Sequence, residues 1–234
     1  MCLPKPVSST PAATNRDRAL LCYITDRRQF AGSEADQIRQ LLAKIKECAE
    51  AGVDYIQLRE KDMTTRELQK LAQQIATALP SHTETQLLIN SRLDVALGCG
   101  AHGIHLPAND VAASEARASW SRASQDACVV GVSAHSISEI ALAESHGADF
   151  AIFAPVFEKS GTTNPAGLEQ LRQACQRSQA AVPPMPILAL GGVTVQNAAL
   201  CIAAGAAGVA GIRLFQDQNA FTVVTALRSQ FAVV

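Results

Sequence analysis

At 234 residues the chain is long enough to bury roughly 70–75% of its unfolded surface, as one large domain or two small ones. Apolar residues make up 48% and charged residues 18%, a globular balance that excludes an intrinsically disordered protein. Twenty basic residues against 21 acidic ones leave a formal charge of −1 with no block of one sign, which argues against nucleic acid or a membrane surface as the main partner.

Residues 1–18 carry Pro4, Pro6, Pro11 and a Ser/Thr run, without the apolar centre of a signal peptide, and read as a loose tail before a domain over 19–234. Leu20–Thr25 is the first short strand. Ser33-Glu34-Ala35-Asp36 is a capping box, and Ile38, Leu41, Leu42, Ile45 and Ala49 continue at helical spacing. The strand Tyr55–Arg59 runs into Glu60-Lys61-Asp62, with Gln57, Arg59 and Lys61 at alternate positions. A period of two sends these three to one side and Ile56 and Leu58 to the other. Two cations and an amide on the inside of a strand end are costly unless an anion faces them, so the pattern predicts a phosphate or pyrophosphate site.

A second capping box, Thr64-Thr65-Arg66-Glu67, opens a helix with Leu68, Leu71, Ala72, Ile75 and Leu79 on one face. Strand Gln86–Asn90 follows, where Ser91 and Asp94 are spaced to cap the next short helix. Gly52, Gly100, Gly147 and Gly205 each sit where a helix gives way to a buried strand, a place that favours a left-handed cap. Strands are expected at 20–25, 55–59, 86–90, 103–107, 128–133, 150–156, 186–191 and 208–213, with helical patterns between them. Strict alternation with apolar strands predicts a parallel sheet covered by helices, and eight units favour one closed (β/α)₈ TIM barrel. No Gly-x-Gly-x-x-Gly follows the first strand, which removes the dinucleotide-fold signal.

In such a barrel chemistry sits where strands pass into βα loops. Those places hold Thr25-Asp26-Arg27, Gln57 to Lys61, Asn90, His105, Asp110, Ser133 with His135, residues 155–163, Gly191-Gly192 and Ile212-Arg213. Gly191-Gly192, with Thr194 read as a helix cap, is either a tight turn or a set of bare amides for a phosphate. Asp110 is a helix N-cap or a metal ligand. His135, before Ser136-Ile137-Ser138-Glu139, closes its loop or carries a proton. Tyr23, Arg92 and His105 line a pocket or fill barrel layers. Seven widely spaced cysteines without a C-x-x-C pair read as free thiols of a reduced cytoplasm rather than disulfides or a zinc site.

From about Leu20 onward the chain resembles the thiamine-phosphate synthase/TenI superfamily. The likeness rests on Tyr23-Ile24-Thr25-Asp26-Arg27, Gln57-Leu58-Arg59-Glu60-Lys61-Asp62, Asn90-x-Arg92-x-Asp94, Gly103-Ile104-His105-Leu106, Gly131-Val132-Ser133-Ala134-His135-Ser136, Ala154-Pro155-Val156-Phe157 and Ala189-Leu190-Gly191-Gly192-Val193. The resemblance implies an enzyme joining hydroxymethylpyrimidine pyrophosphate to a thiazole phosphate, with both phosphorylated small molecules as its partners and a homo-oligomer open. It implies that Gln57, Arg59 and Lys61 hold the pyrophosphate beside Asn90 and Ser133, and that Asp110 holds Mg²⁺. It also implies that Gly191, Gly192 and the Ile212 region hold the thiazole phosphate. Ser91 stands where synthases usually carry a metal-binding Asp. Lys159, Thr162 and Thr163 replace the usual strand-six phosphate grip, and Arg213 replaces a small hydroxyl residue. Those departures leave a TenI-like thiazole tautomerase using His135 without metal, and a barrel that only binds a phosphorylated metabolite, as alternatives.

Overall fold

The computed structural model describes residues 18–157 and 167–231. Eight strands alternate with helices: β1 (Leu20–Ile24), β2 (Tyr55–Leu58), β3 (Gln86–Asn90), β4 (Gly103–Leu106), β5 (Val129–Ala134), β6 (Phe150–Phe153), β7 (Ile187–Ala189) and β8 (Gly208–Gly211). Each pairs in parallel with the next and β8 returns to β1, so the sheet closes into the expected (β/α)₈ barrel. Several strands stop one to three residues short of their expected ends, and the residues released form the βα loops.

Helices α1 (Glu34–Glu50) and α2 (Thr65–Ala78) begin at complete capping boxes on Ser33/Asp36 and Thr64/Glu67. Their buried faces are Leu41, Ile45, Cys48 and Ala49, and Leu68, Leu71, Ala72 and Ile75. Gly52, Gly100, Gly147 and Gly205 adopt φ of +88°, +67°, +71° and +97°, the left-handed geometry each helix-to-strand joint requires.

Two apolar clusters result. The larger lies between the strands and the helical shell. The smaller fills the barrel lumen with Cys22, Ile24, Leu88, Phe150, Ile152 and Leu188, as stacked layers of inward side chains do. Tyr55 stacks on Phe150 there at 4.7 Å between ring centroids. Gly131 is the lumen's space-giver: a Cβ on it would lie 2.4 Å from Phe150 Cζ and 2.8 Å from His105 Nδ1.

Three expected helix caps do not form. The helix α3 (Leu93–Cys99) is preceded by Arg92, whose guanidinium takes Asp94; Ser91 stands outside it at φ +61°. The helix α4 (Ala113–Ala123) starts after Ala112, so Asp110 is not its cap and instead accepts from Val111 N–H at 2.8 Å. Thr194 closes a turn with Asn197, and the six-residue helix α7 (Ala198–Ala203) begins only afterwards. In each case a nearer polar partner or a longer loop displaces the cap by one to three residues.

Candidate active site at the strand ends

Because all strands are parallel, their C-terminal ends share one mouth, and the Arg59 and Gly191-Gly192 ends lie on it together. Register carries the inward face upward from the lumen: Ile24 pairs with Gln57, Gln57 with Leu88, Asn90 with His105 and His105 with Gly131. Gln57, Asn90, His105 and Ser133 therefore cap the apolar layers as two hydrogen-bonded pairs. Gln57 Nε2 donates to Asn90 Oδ1 at 2.9 Å, and His105 Nε2 meets Ser133 Oγ at 3.0 Å.

Two buried atoms of these pairs, Gln57 Oε1 and His105 Nδ1, have no partner among the described residues. Burial, with the Arg59 charge second, pushes the His105 imidazolium down to about 3, so the ring is neutral near pH 7. Whichever nitrogen carries its proton, the group orients Ser133 and does not act as a cation. His105, weighed from sequence between lining a pocket and filling a barrel layer, is buried in the layer and hydrogen-bonded to Ser133.

The alternation seen in sequence holds for Gln57, buried on the inner face opposite Ile56 and Leu58. It does not extend to Lys61, because β2 ends at Leu58 and residue 61 lies in an exposed turn. What holds that turn is a cluster the sequence pattern missed. Arg27, 4% exposed, forms two bonds to Asp62 at 2.8 and 2.9 Å and reaches Glu60 and Glu34 at 3.1 Å each. Glu60, 5% exposed, also accepts from Thr25 Oγ at 2.6 Å. Both acids beside Lys61 are thus engaged by Arg27. Among the described residues neither Arg59 nor Lys61 has an ion-pair partner.

Across the mouth, Gly191 and Gly192 adopt φ of +98° and +63°. A Cβ at residue 191 would lie 2.9 Å from Pro155, so the turn needs glycine for space as well as conformation. The N–H groups of Gly191, Gly192, Ile212 and Arg213 find no backbone acceptor among the described residues. Arg213 is exposed, without an ion pair among the described residues, at the start of the four-residue α8 (Arg213–Gln216).

His135 is exposed and its Nδ1 donates to the Ala154 carbonyl at 2.7 Å, which leaves Nε2 as the free nitrogen. Its backbone N–H takes Glu139 Oε2, so the Ser136 box is half formed. Asp110 is exposed and lines a cleft of about 110 Å³ that also touches Ser133 and Glu139. No group of three or more His, Cys, Asp or Glu suited to a metal occurs among the described residues. Burial pushes the thiols of Cys48, Cys175 and Cys201 up to about 12, which removes them as nucleophiles at neutral pH. Lys159, Thr162 and Thr163 lie outside the described residues, as does the tail through residue 17. No helix among the described residues is long and apolar enough to cross a membrane.

A family model described as thiamine monophosphate synthase matches residues 21–215. A putative thiamine-phosphate synthase 2 of Aquifex aeolicus is 36% identical over 199 residues, covering 84% of this chain and 97% of that protein. A thiamine-phosphate synthase of Albidiferax ferrireducens is 33% identical over 206 residues, 87% of each chain. Among solved structures, thiamine phosphate pyrophosphorylase from Pyrococcus furiosus superposes with a TM-score of 0.73 at 25% identity, covering 92% of this chain and 96% of its own.

Proposed function

Since the chain belongs to the thiamine monophosphate synthase family, we propose that it is a thiamine-phosphate synthase, a transferase joining hydroxymethylpyrimidine pyrophosphate to thiazole phosphate with release of pyrophosphate. The observation that carries this reading is that Arg59 and Lys61, which have no ion-pair partner among the described residues, share a mouth with the Gly191 and Gly192 amides, which find no backbone acceptor among them. One grip suits a pyrophosphate and the other a monophosphate, the two anions of the two substrates.

In this reading the pyrimidine's CH₂–O bond breaks and its electron pair leaves with the pyrophosphate. Arg59 and Lys61 neutralise that charge as it develops, while Gln57 and Asn90 donate to phosphate oxygens. The thiazole nitrogen then gives its lone pair to the CH₂ carbon. No side-chain nucleophile takes part. Ser133, oriented by His105, contributes a hydroxyl to the pyrophosphate side, and His135, whose Nδ1 is bound to the Ala154 carbonyl, offers Nε2 to the substrates. Gly191, Gly192 and the Ile212 amide hold the thiazole phosphate, with Lys159, Thr162, Thr163 and Arg213 assigned to the same anions.

The residues present fit a magnesium ion held mainly by substrate. Asp110 commits one carboxylate oxygen to Val111 and has no hydrogen-bond partner for the other among the described residues, and Mg²⁺ commonly takes one or two carboxylates plus phosphate oxygens and water. Glu60 cannot replace the carboxylate missing at Ser91, because Thr25 and Arg27 already occupy it. Mg²⁺ would supply further charge neutralisation at the departing pyrophosphate. The six described cysteines are free and suit a reducing cytoplasm.

The test is incubation of purified protein with both substrates, with and without Mg²⁺. Thiamine phosphate and pyrophosphate formed one for one, only with metal, is the expected result. Isomerisation of the thiazole phosphate without metal, and no coupling, would replace the synthase with a tautomerase.

A further inference from the structure

The ladder of β2 ends at Leu58, so the segment carrying Arg59 and Lys61 is held by something other than the sheet. That something is a set of side chains from the neighbouring β1 loop. Thr25 Oγ sits at its centre: it donates to Glu60 Oε1 at 2.6 Å and accepts the Arg59 backbone N–H at 2.9 Å. Glu60 receives the Arg27 backbone N–H on both oxygens, at 3.2 and 3.1 Å. Arg27 in turn clasps Asp62 with two bonds. Residues 60 and 62 are therefore pinned to the β1 loop, while Arg59 and Lys61 have no ion-pair partner among the described residues.

A buried guanidinium–carboxylate pair is a poor device for stability alone, because desolvation offsets most of the attraction and an apolar replacement often serves as well. Thr25, Arg27 and Glu60 are 0%, 4% and 5% exposed, so the cost is paid in full here. The same cluster is tied to the neighbouring β8 unit. Gln216 of α8 accepts from Tyr23 OH at 3.0 Å and donates to the Asp26 carbonyl at 2.9 Å, so the β1 loop is braced from the glycine side as well.

We propose that Thr25 and Glu60 are positioning residues for the anion grip: Thr25 fixes the backbone at Arg59 and holds Glu60, and Glu60 seats Arg27, which takes Asp62, so that neither acid beside Lys61 competes with a pyrophosphate for the two cations. This rests on the reading of Arg59 and Lys61 as pyrophosphate-binding groups. Neither Thr25 nor Glu60 touches substrate in it.

Thr25→Val keeps shape and removes both hydrogen bonds; Thr25→Ser restores the hydroxyl. Calorimetric binding of inorganic pyrophosphate, KM for each substrate and the melting temperature are measured on both. Thr25→Val should weaken pyrophosphate binding and raise the KM of the pyrophosphorylated substrate by about tenfold or more, as small misplacements of binding groups do. The KM of the thiazole phosphate should stay put, and Thr25→Ser should return both values toward wild type. Unchanged pyrophosphate binding in a folded Thr25→Val protein overturns the inference, as does an equal loss toward both substrates. Should Thr25→Val fail to fold, the exposed Asp62→Asn substitution reads the same clasp and must weaken pyrophosphate selectively, if less; no change there also overturns it. A wild-type protein that binds no pyrophosphate defeats the underlying reading first, which the wild-type control shows directly.

Discussion

His105 Nε2 lies 3.0 Å from Ser133 Oγ, while the other nitrogen of the same ring is buried without a partner among the described residues. The ring bridges the apolar lumen, where it faces Phe150 at 6.0 Å between centroids, and the polar mouth. Its chemistry is set by that position, since burial favours the uncharged form.

His105 should therefore show no titration between pH 5 and 8 by NMR. Its folded value is lowered to about 3 from an ordinary 6.5, so between those two values the unfolded chain binds a proton that the folded chain does not. Stability from this group is full above pH 6.5 and falls as pH drops toward 3, by at most about 1.4 kcal/mol per pH unit. Unfolding titrations of wild type and His105→Asn should differ in slope over this window alone. Parallel curves would contradict the assignment.

Gly131→Ala should cost about 1–3 kcal/mol, the usual result of forcing a methyl into a packed core. The added carbon meets the Phe150 ring and His105 Nδ1, so the His105–Ser133 bond shifts with it. Denaturant melts and turnover should both worsen. A variant as stable and active as wild type would show that the lumen has slack.

Arg59→Ala and Lys61→Ala should each lower turnover about 100-fold or more, the scale on which preorganised charge stabilisation acts. Their melting temperatures should move little, since Lys61 is exposed and neither has an ion-pair partner among the described residues. Activity within a few-fold of wild type would deny them the role.

Ser91 occupies a left-handed φ of +61°, which Asp and Asn tolerate better than most residues. Ser91→Asp should fold normally, add a carboxylate beside Asn90 and lower the Mg²⁺ concentration for half-maximal activity several-fold. An unchanged magnesium titration would place the ion elsewhere.

The barrel was legible because its signals are local. Glycine at four helix-to-strand joints and two complete capping boxes each act within a few residues. The inward side of β2 followed from its period of two as far as Gln57. Beyond Leu58 the period lapses, and Glu60 turns to Arg27, 33 residues away, a pairing no short-range pattern carries. The misread caps have two causes. Ser91 and Asp94 have cap spacing, yet Arg92 between them takes the acid, and Asp110 and Thr194 precede turns that delay their helices.

The most direct test is a crystal structure of the protein with pyrophosphate and the thiazole phosphate bound together. Pyrophosphate against Arg59, Lys61 and the Gln57–Asn90 pair, with the monophosphate on the Gly191 and Gly192 amides at the same mouth, is the arrangement predicted. Anions bound away from Arg59, or the two held at opposite ends of the barrel, would contradict it.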